Sequence, residues 1–395
     1  MSHPHDNPVH NPRVHGYRVL GQPSGASSSG RPLMRIASAH GHQPFRPLPS
    51  PTGNPPYHLD LADLLPVQQM VAITTANRLV FHLVGDSGGV QTPLPQMNVA
   101  RRMEQDFTDP DPTARPAFFY HLGDVVYFYG ESVQYYPQFY EPYEGYPGVI
   151  VGIPGNHDGD LSPAMQTQGV PSLAAFTTNF CARTPFHTPD ALDAPRLAMT
   201  QPNVYWTLQT PYAAIIGLYT NVPEGGQLDD AQIAWLQDEL TGAPRDRFLL
   251  VAMHHPIYSL DDYYSGSATM HGILNDAVAR SGRTPDAVFA GHVHNYQRFT
   301  RVWNGRNVPF VVAGGGGYHN LHKIAPGVAI GSQPSPADQV TYEAGNDQLF
   351  GYLRLEVTPT TLTGAYFAVP GFVDPHAPPT VPPSPPFDTF SITLP

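Results

Sequence analysis

The chain has 395 residues, of which 41% are hydrophobic, so it is long enough and apolar enough to build a sizeable core. Its 20 Lys and Arg against 32 Asp and Glu give a formal net charge of -12, which argues against a general nucleic-acid binder. The same acidity would repel a phosphate substrate unless bound cations reverse the local field. A single cysteine, Cys181, excludes both an intramolecular disulfide and a cysteine-based zinc site.

The ends of the chain differ in composition from its middle. Residues 1–56, rich in His, Pro, Gly and Ser, are interpreted as an extended N-terminal arm, and residues 57–370 as one folded domain. Residues 371–395 are interpreted as a Pro-rich C-terminal tail that ends in a strand, Thr389 to Leu394. No apolar run approaches the roughly 18 residues of a membrane-spanning helix. Residues 1–16 lack the apolar core of a signal peptide, which slightly favours a cytoplasmic location.

Five short apolar runs, each stopping at Gly, Asp or His, predict buried strands. In chain order they are Leu79–Val84, Ala117–Leu122, Gly148–Ile153, Phe248–Met253 and Ala287–Ala290. The polar motifs that follow them are Gly85-Asp86, Gly123-Asp124, Gly155-Asn156-His157-Asp158, His254-His255 and Gly291-His292-Val293-His294. Taken singly, each motif could be a turn. Their occurrence in one order, each at a strand end, favours a functional site.

Helical patterns lie between these runs. Asp229–Leu240 places its apolar residues on one face, and Met97–Phe107 and His271–Arg280 show weaker patterns. Three further strands are predicted near the C-terminal end, at Val308–Ala313, Tyr352–Val357 and Leu362–Ala368. Strands that alternate with helices predict an α/β fold. In such sheets ligands bind beyond the carboxyl ends of the strands, which is where all five motifs fall.

The series Asp86, Gly123-Asp124-x-x-Tyr127, Gly155-Asn156-His157-Asp158, Val251-x-x-His254 and Gly291-His292-x-His294 resembles the calcineurin-like metallophosphoesterases. It is most similar to their purple acid phosphatase branch, and the resemblance covers roughly residues 79–300. The resemblance implies a four-layer α/β/β/α sandwich, in which two mixed sheets are flanked by helices. The resemblance also implies that residues 57–370 form a metallophosphoesterase catalytic domain.

Two linked positions favour that branch. The general superfamily pattern opens with Asp-x-His, but the position of this histidine is occupied by Gly88. In the purple branch a tyrosine three residues after the second motif's aspartate replaces the lost ligand, and Tyr127 stands there. The alternative is that Tyr127 is a core aromatic, since the surrounding stretch is rich in aromatic residues.

Carried over residue by residue, the resemblance implies two metal ions. The first would be held by Asp86, Asp124, Tyr127 and His294, and the second by Asp124, Asn156, His254 and His292. A phenolate and carboxylates suit Fe(III), whereas imidazoles and an amide oxygen suit a divalent ion such as zinc, manganese or iron. Such ions, about 3.5–4 Å apart, would generate a metal-bound hydroxide that attacks phosphorus.

Four further residues are candidates around this centre. The resemblance implies that His157 is not a ligand but donates a proton or hydrogen bond to the leaving-group oxygen. Asp158 either orients an imidazole or has a plain structural role. His255 either faces the substrate or is buried, and His319 is a candidate for lining the cleft beside Tyr318. The next histidine after His255 is only at position 271, a departure that puts a second phosphate-contacting histidine in doubt.

The expected function is therefore hydrolysis of a small phosphate ester, a monoester first. One alternative is a phosphodiesterase on the same site, because the Tyr-rich stretch from Tyr127 to Tyr146 could admit a second substituent. The other is a non-catalytic metal-binding scaffold, which the competent types of all the assigned ligands disfavour. Neither a nucleic-acid groove nor a membrane span is expected, and the sequence leaves the oligomeric state open.

Overall fold

The structure is a computed structural model that describes residues 47–220, 226–373 and 385–394. Most of the predicted N-terminal arm and the Pro-rich part of the tail lie outside these ranges. In the described residues, no helix is both long and apolar enough to cross a membrane.

Fourteen strands form two mixed sheets within the described ranges. Numbered along the chain, they are β1 (His58–Asp60), β2 (Leu79–Val84), β3 (Phe118–His121), β4 (Val149–Gly152), β5 (Trp206–Gln209), β6 (Ala213–Gly217), β7 (Phe248–Met253), β8 (Ala287–Ala290), β9 (Tyr296–Trp303), β10 (Arg306–Ala313), β11 (Val340–Asn346), β12 (Phe350–Val357), β13 (Thr361–Val369) and β14 (Asp388–Thr393). The larger sheet has the order β1-β5-β6-β7-β8-β10-β9-β11, and the smaller has the order β14-β13-β12-β2-β3-β4. The last strand of the tail thus adds an edge strand to the smaller sheet.

Seven α-helices connect these strands in the described ranges. They are α1 (Val67–Ala76), α2 (Leu94–Gln105), α3 (Asn156–Gly159), α4 (Pro163–Gln168), α5 (Ala174–Phe180), α6 (Asp230–Gly242) and α7 (Ala268–Ser281). Single turns of 3₁₀ or π helix occur at Leu61–Asp63, Asp106–Thr108, Pro112–Ala114, Ser132–Gln134, Tyr136–Tyr140, Pro189–Ala191 and Pro336–Asp338. The bounds of α7 have a local cause, because Ser267 caps its first turn and Gly282 ends it at φ 64°.

Alternate residues of the central strands pack on opposite sides, and this produces the layers. In β7, Leu250 and Ala252 belong to the apolar cluster shared with the smaller sheet, whereas Leu249 and Val251 belong to the cluster shared with α6 and α7. Because both faces of such a strand are covered, its sequence is continuously apolar rather than alternating. The result is the expected four-layer α/β/β/α arrangement, and this prediction is confirmed.

The predicted strands and helices are found within a few residues of their expected bounds. Sequence reasoning missed the strands β1, β5, β6, β9 and β11 and the helices α1, α3, α4 and α5. The pattern of β9 explains its omission, since Arg298, Thr300 and Arg301 interrupt the apolar run and the apolar Val302 is exposed. The strands β2, β3 and β4 run parallel, as do β6, β7 and β8, so their carboxyl ends meet at one edge of the sandwich.

Candidate metal centre

The loops that leave five strands at this edge bring together all seven residues proposed from the sequence as metal ligands. They follow β2, β3, β4, β7 and β8, and they carry Asp86, Asp124, Tyr127, Asn156, His254, His292 and His294. Each of the seven is at most 4% exposed. Residues more than 200 positions apart in the sequence are in direct contact here, as the hydrogen bond from His292 N to Asp86 Oδ2 shows.

The first group of polar atoms surrounds the Tyr127 hydroxyl. This hydroxyl donates a hydrogen bond to Asp86 Oδ1 at 3.3 Å and lies 3.4 Å from His294 Nε2. The third side of the triangle, from His294 Nε2 to Asp86 Oδ1, is 3.5 Å. Three atoms of types that bind metal ions therefore converge on one point.

The second group surrounds the side-chain oxygen of Asn156. Asn156 Oδ1 lies 3.1 Å from His254 Nε2 and 3.0 Å from His292 Nδ1. Asp124 Oδ2 lies 3.3 Å from the same His254 nitrogen, and the ligand atoms of Asp124, His254 and His292 all lie within 4.8 Å of one another. His254 Nε2 is also 4.0 Å from Asp86 Oδ1, so the second group adjoins the first.

The donor sets fit metal ions. Donors bonded to one ion at about 2.0–2.2 Å lie roughly 3–3.5 Å from one another, which is the spacing found in both groups. His254 Nδ1 lies 2.8 Å from Leu122 O, and His294 Nδ1 lies 3.0 Å from Asn320 O. A backbone carbonyl accepts only from an N–H, so the Nε2 lone pair of each ring is directed into the site, as in metal-ligating histidines.

The charge balance of the site also favours cations. Asp86 and Asp124 are buried, and their ion pairs among the described residues are with histidines rather than with Lys or Arg. Burial raises the pKa of Asp86. Burial opposes ionisation of Asp124, but His254 and His157 hold its pKa well below the usual range. Burial, followed by the charges of Asp124 and Asp86, raises the pKa of the Tyr127 phenol, so a phenolate there requires a neighbouring cation.

Three of these residues have a left-handed backbone conformation. The φ angles are 60° at Asp86, 55° at Asp124 and 67° at His292. For residues other than glycine such angles cost roughly 1–3 kcal/mol each, and they concentrate at functional sites. Neighbouring contacts hold these turns in place, including the hydrogen bond from Asp86 N to Gly123 O at 3.0 Å. With these backbone conformations, the side chains of the three residues meet in the site.

Gly88 and Tyr127, the two positions that the sequence pattern links, are neighbours in the structure. A Cβ atom at position 88 would lie 2.8 Å from Tyr127 Cδ2, closer than real contacts allow. The absence of a side chain at Gly88 therefore makes room for the Tyr127 ring. The ring of Tyr318 stacks on that of Tyr127, with centroids 4.1 Å apart.

His157 lies beside both groups. Its backbone N–H donates to Asp124 Oδ1 at 2.9 Å, and its ring centroid is 4.5 Å from that of Tyr127. Its Nδ1 lies 2.8 Å from Phe128 O, which places the proton of the neutral ring on Nδ1. The remaining ring nitrogen, Nε2, lies 4.0 Å from Asp124 Oδ2, although the two residues are 33 positions apart in the sequence.

The other candidates have distinct surroundings. The Asp158 carboxylate accepts hydrogen bonds from the backbone N–H groups of Gly155, Val125 and Val126 at 2.8, 3.1 and 3.2 Å. These contacts correspond to the structural alternative for this residue, and burial raises its pKa to about 7. His255 is buried beside the second group, with its ring 4.4 Å from that of His292 and its Nδ1 3.0 Å from Thr220 Oγ1.

His319 is connected to the first group through the ring of Tyr318. Its centroid is 4.5 Å from that of Tyr318, which itself lies 4.7 Å from the His294 ring. His319 also lines a cavity of about 310 Å³ whose walls include Leu349 and Phe350. The Tyr318 ring thus lies between His319 and the His294 ring of the first group.

Several supporting residues were missed by sequence reasoning. His121 Nε2 lies 2.8 Å from Ser87 Oγ, and its Nδ1 accepts a hydrogen bond from Gly123 N at 3.2 Å. Since Nδ1 is an acceptor, the proton is on Nε2 and is donated to the serine oxygen, so His121 does not activate Ser87 as a nucleophile. The ring of His322 stacks on that of His294 at 4.4 Å. A signal was present for His121, because it is a polar residue within an apolar strand.

Known proteins share this arrangement of sequence and fold. The family model for calcineurin-like phosphoesterases matches residues 81–296. Purple acid phosphatase 21 of Arabidopsis thaliana is 29% identical over 164 residues, which cover 39% of this chain and 36% of the relative. A probable cyclic nucleotide phosphodiesterase of Rhodopseudomonas palustris is 34% identical over 92 residues, covering 23% of this chain and 32% of the relative. The chain thus spans about a third of the length of these relatives.

A solved structure shares the fold. The purple acid phosphatase from yellow lupin (Lupinus luteus) seeds aligns with a TM-score of 0.57 and 18% identity, over 80% of this chain and 54% of that one. At this identity the likeness concerns the fold alone. The family match extends over more than half of the 395 residues and includes every strand end that carries a polar motif. This chain therefore belongs to the calcineurin-like phosphoesterase family.

Proposed function

We propose that the protein hydrolyses phosphate esters, monoesters first, at a centre of two metal ions. The observation that carries the proposal is the pair of adjoining donor groups, one around the Tyr127 hydroxyl and one around Asn156 Oδ1. Membership of the calcineurin-like phosphoesterase family supports the reaction class. Similarity to proteins named purple acid phosphatases supports the monoester preference.

The two groups would hold different ions. Asp86, Tyr127 and His294 would hold Fe(III), and Asn156, His254 and His292 would hold a divalent ion of zinc, manganese or iron, with Asp124 shared between them. When bound, such ions neutralise phosphate charge and make water acidic enough to supply a nucleophile near neutral pH. Bound cations would also overcome the repulsion between this acidic chain and a phosphate substrate, because they reverse the electrostatic field that a phosphate group meets in the site.

His157 would supply the proton that the leaving group needs. When the bond between phosphorus and the ester oxygen breaks, the departing oxygen takes a proton from Nε2 of the protonated ring. The hydrogen bond from Nδ1 to Phe128 O keeps the ring in one orientation before and after the transfer. Since the His157 side chain is only 5% exposed, bulk water has little access to the nitrogen that acts.

The surroundings of the centre bear on substrate size. Tyr135, Tyr140, Tyr143 and Tyr146, from the tyrosine-rich stretch, are buried in the core cluster rather than exposed. They offer little surface to a second ester substituent, which favours monoesters. Similarity to a protein named a probable cyclic nucleotide phosphodiesterase keeps a diesterase as the second candidate.

Metal analysis combined with turnover tests the proposal. Purified protein is expected to contain two ions per chain and to hydrolyse p-nitrophenyl phosphate faster than bis(p-nitrophenyl) phosphate. Asp124→Asn should weaken both sites, and His254→Ala should weaken chiefly the second, while Asp246→Asn, whose side chain is 76% exposed, serves as the matched control.

Three outcomes would contradict parts of the proposal. One ion or none after reconstitution would refute the two-metal centre. Faster turnover of the diester would replace the monoesterase with the second candidate. Two bound ions without turnover of either ester would favour a non-catalytic scaffold.

A further inference from the structure

The segment that carries Tyr127 lies between β3 and the helical turn at Ser132–Gln134 and belongs to no strand or helix. Its buried backbone groups therefore need side-chain partners. The two residues before Tyr127 donate their N–H groups to the Asp158 carboxylate, and the carbonyl oxygen of Phe128 lies 2.8 Å from His157 Nδ1. The conformation of this loop is thus fixed by side chains from elsewhere.

Tyr127 itself is held by the side-chain amide of Gln138. The Tyr127 N–H donates to Gln138 Oε1 at 2.8 Å, and Gln138 Nε2 donates to Tyr127 O at 2.8 Å. Both hydrogen bonds are buried, and Gln138 is 2% exposed. The amide satisfies both backbone groups of the residue at once, so the plane of the amide fixes the direction in which the Tyr127 side chain leaves the backbone.

Gln96 joins this clamp to the loop that carries Asp86. From α2, Gln96 Nε2 donates to the backbone carbonyl oxygen of Gln138 at 2.6 Å and to Ser87 Oγ at 3.4 Å. Gln96 Oε1 accepts from Gly89 N at 3.2 Å. One buried side chain thus connects two residues that follow Asp86, Ser87 and Gly89, with the residue that holds Tyr127. Asp86 Oδ1 and the Tyr127 hydroxyl meet at 3.3 Å.

Gly88 completes the arrangement. A Cβ atom at position 88 would collide with Gln138 Oε1 as well as with the Tyr127 ring. The missing side chain at Gly88 therefore makes room for the clamp and for the tyrosine together. The exchange of one ligand for another at this site involves a third residue, Gln138, which belongs to none of the metal-binding motifs.

We propose that Gln138 is a positioning residue that places the Tyr127 phenol among the metal ligands. The inference rests on the proposed function, because it takes Tyr127 to be a ligand of the first ion. If Gln138 loses its amide, two buried backbone groups at Tyr127 lose their partners, the loop relaxes, and the phenol is no longer held against Asp86. The first ion is then bound more weakly, and the loss occurs through Tyr127.

A double-mutant cycle tests this dependence. Metal-free Gln138→Met, Tyr127→Phe and the double variant are loaded with iron without oxygen and then oxidised. Iron retained against increasing chelator gives relative affinities. Gln138→Met is expected to lose roughly 10–100-fold in iron affinity, the range for residues that support metal ligands, and Tyr127→Phe, which removes the ligand atom itself, at least as much. The double variant should bind iron no more weakly than the single variant with the lower iron affinity, because both changes act through the same phenol.

Gln232→Met is the matched control. Gln232 is 1% exposed and forms the same clamp with a different residue: Tyr219 N donates to its Oε1 at 2.9 Å, and its Nε2 donates to Tyr219 O at 3.1 Å. Gln232→Met should lower the unfolding midpoint of the metal-free protein about as much as Gln138→Met does. Any effect of Gln232→Met on iron affinity should be additive with the effect of Tyr127→Phe when the two changes are combined. If Gln138→Met does not fold, Gln96→Met, which removes the hydrogen bond to the Gln138 backbone, replaces it in the cycle.

The outcomes separate the inference from the function on which it rests. Additive losses in the double variant, or wild-type iron affinity in Gln138→Met beside a clear loss in Tyr127→Phe, would overturn the positioning role alone. Wild-type iron affinity in Tyr127→Phe would refute tyrosine ligation and the positioning role with it.

Discussion

Replacing Gly88 with alanine adds one methyl group at the point where the Tyr127 ring and the Gln138 amide meet. The added Cβ would lie 2.8 Å from Tyr127 Cδ2, would collide with Gln138 Oε1, and would lie 3.1 Å from Val125 O. Neither buried side chain moves easily, since the Tyr127 ring is stacked on Tyr318 and the amide is tied to backbone at both ends. The ring or its loop must therefore shift.

The expected cost combines two effects of opposite sign. Overpacking a well-filled interior costs about 1–3 kcal/mol. Replacing glycine by alanine stabilises the folded state by about 0.4–1 kcal/mol, because the unfolded chain loses conformational freedom. Gly88→Ala should therefore lower the free energy of unfolding of the metal-free protein by about 1–2 kcal/mol. Because the shift displaces the Tyr127 hydroxyl, iron binding should weaken as well.

Urea unfolding of the metal-free protein and iron retention measure the two consequences. Gly272→Ala is the control: Gly272 lies within α7, and an added Cβ would meet nothing within 4 Å. Gly272→Ala should raise the free energy of unfolding by about 0.5–1 kcal/mol and leave iron binding unchanged. If Gly88→Ala proves as stable as Gly272→Ala and retains wild-type iron, the coupling between Gly88 and Tyr127 is refuted.

Three further predictions concern the proton donor, the tyrosine and acid stability. His157→Ala should retain both ions but lose turnover by roughly 10²–10⁴-fold, with a smaller loss for esters with good leaving groups; an equal loss for all esters would exclude the proton donor. Tyr127→Phe should remove the visible charge-transfer absorption of the oxidised iron protein and leave the fold intact; a colourless wild type with iron bound would contradict phenolate ligation. Although burial opposes it, contacts with His82 and Arg102 lower the pKa of Asp106 to about 2. The folded-state pKa is thus below the unfolded value of about 4, so about 2 kcal/mol of stability, present above pH 4, should be lost as pH falls from about 4 to about 2. Asp106→Asn should remove this part of the pH dependence of unfolding, and an unchanged profile would refute the assignment.

The sequence predicted the strands that reach the site with good accuracy. Runs such as Phe248–Met253 are apolar throughout because each strand is covered by helices on one face and by the other sheet on the opposite face. Hydrophobic pattern is a local signal, and it was sufficient for these elements. It failed for β9, where Arg298 pairs with Asp388 of β14, 90 residues further along the chain, at the edge of the other sheet. When the partner of a charged residue lies far along the chain, the local sequence does not indicate that the charged residue is paired and partly buried.

For the site, the order and types of the motif residues indicated which side chains meet at the candidate metal centre, because the parallel strands end at one edge. Spacing could not show the direction of the Tyr127 side chain, since a shift of one residue in its loop would move the phenol away. That direction depends on Gln138, Gln96 and the space left by Gly88. Apolar periodicity and strand-end motifs arise from each segment's own residues, whereas a loop without backbone partners takes its conformation from side chains that only tertiary folding brings to it.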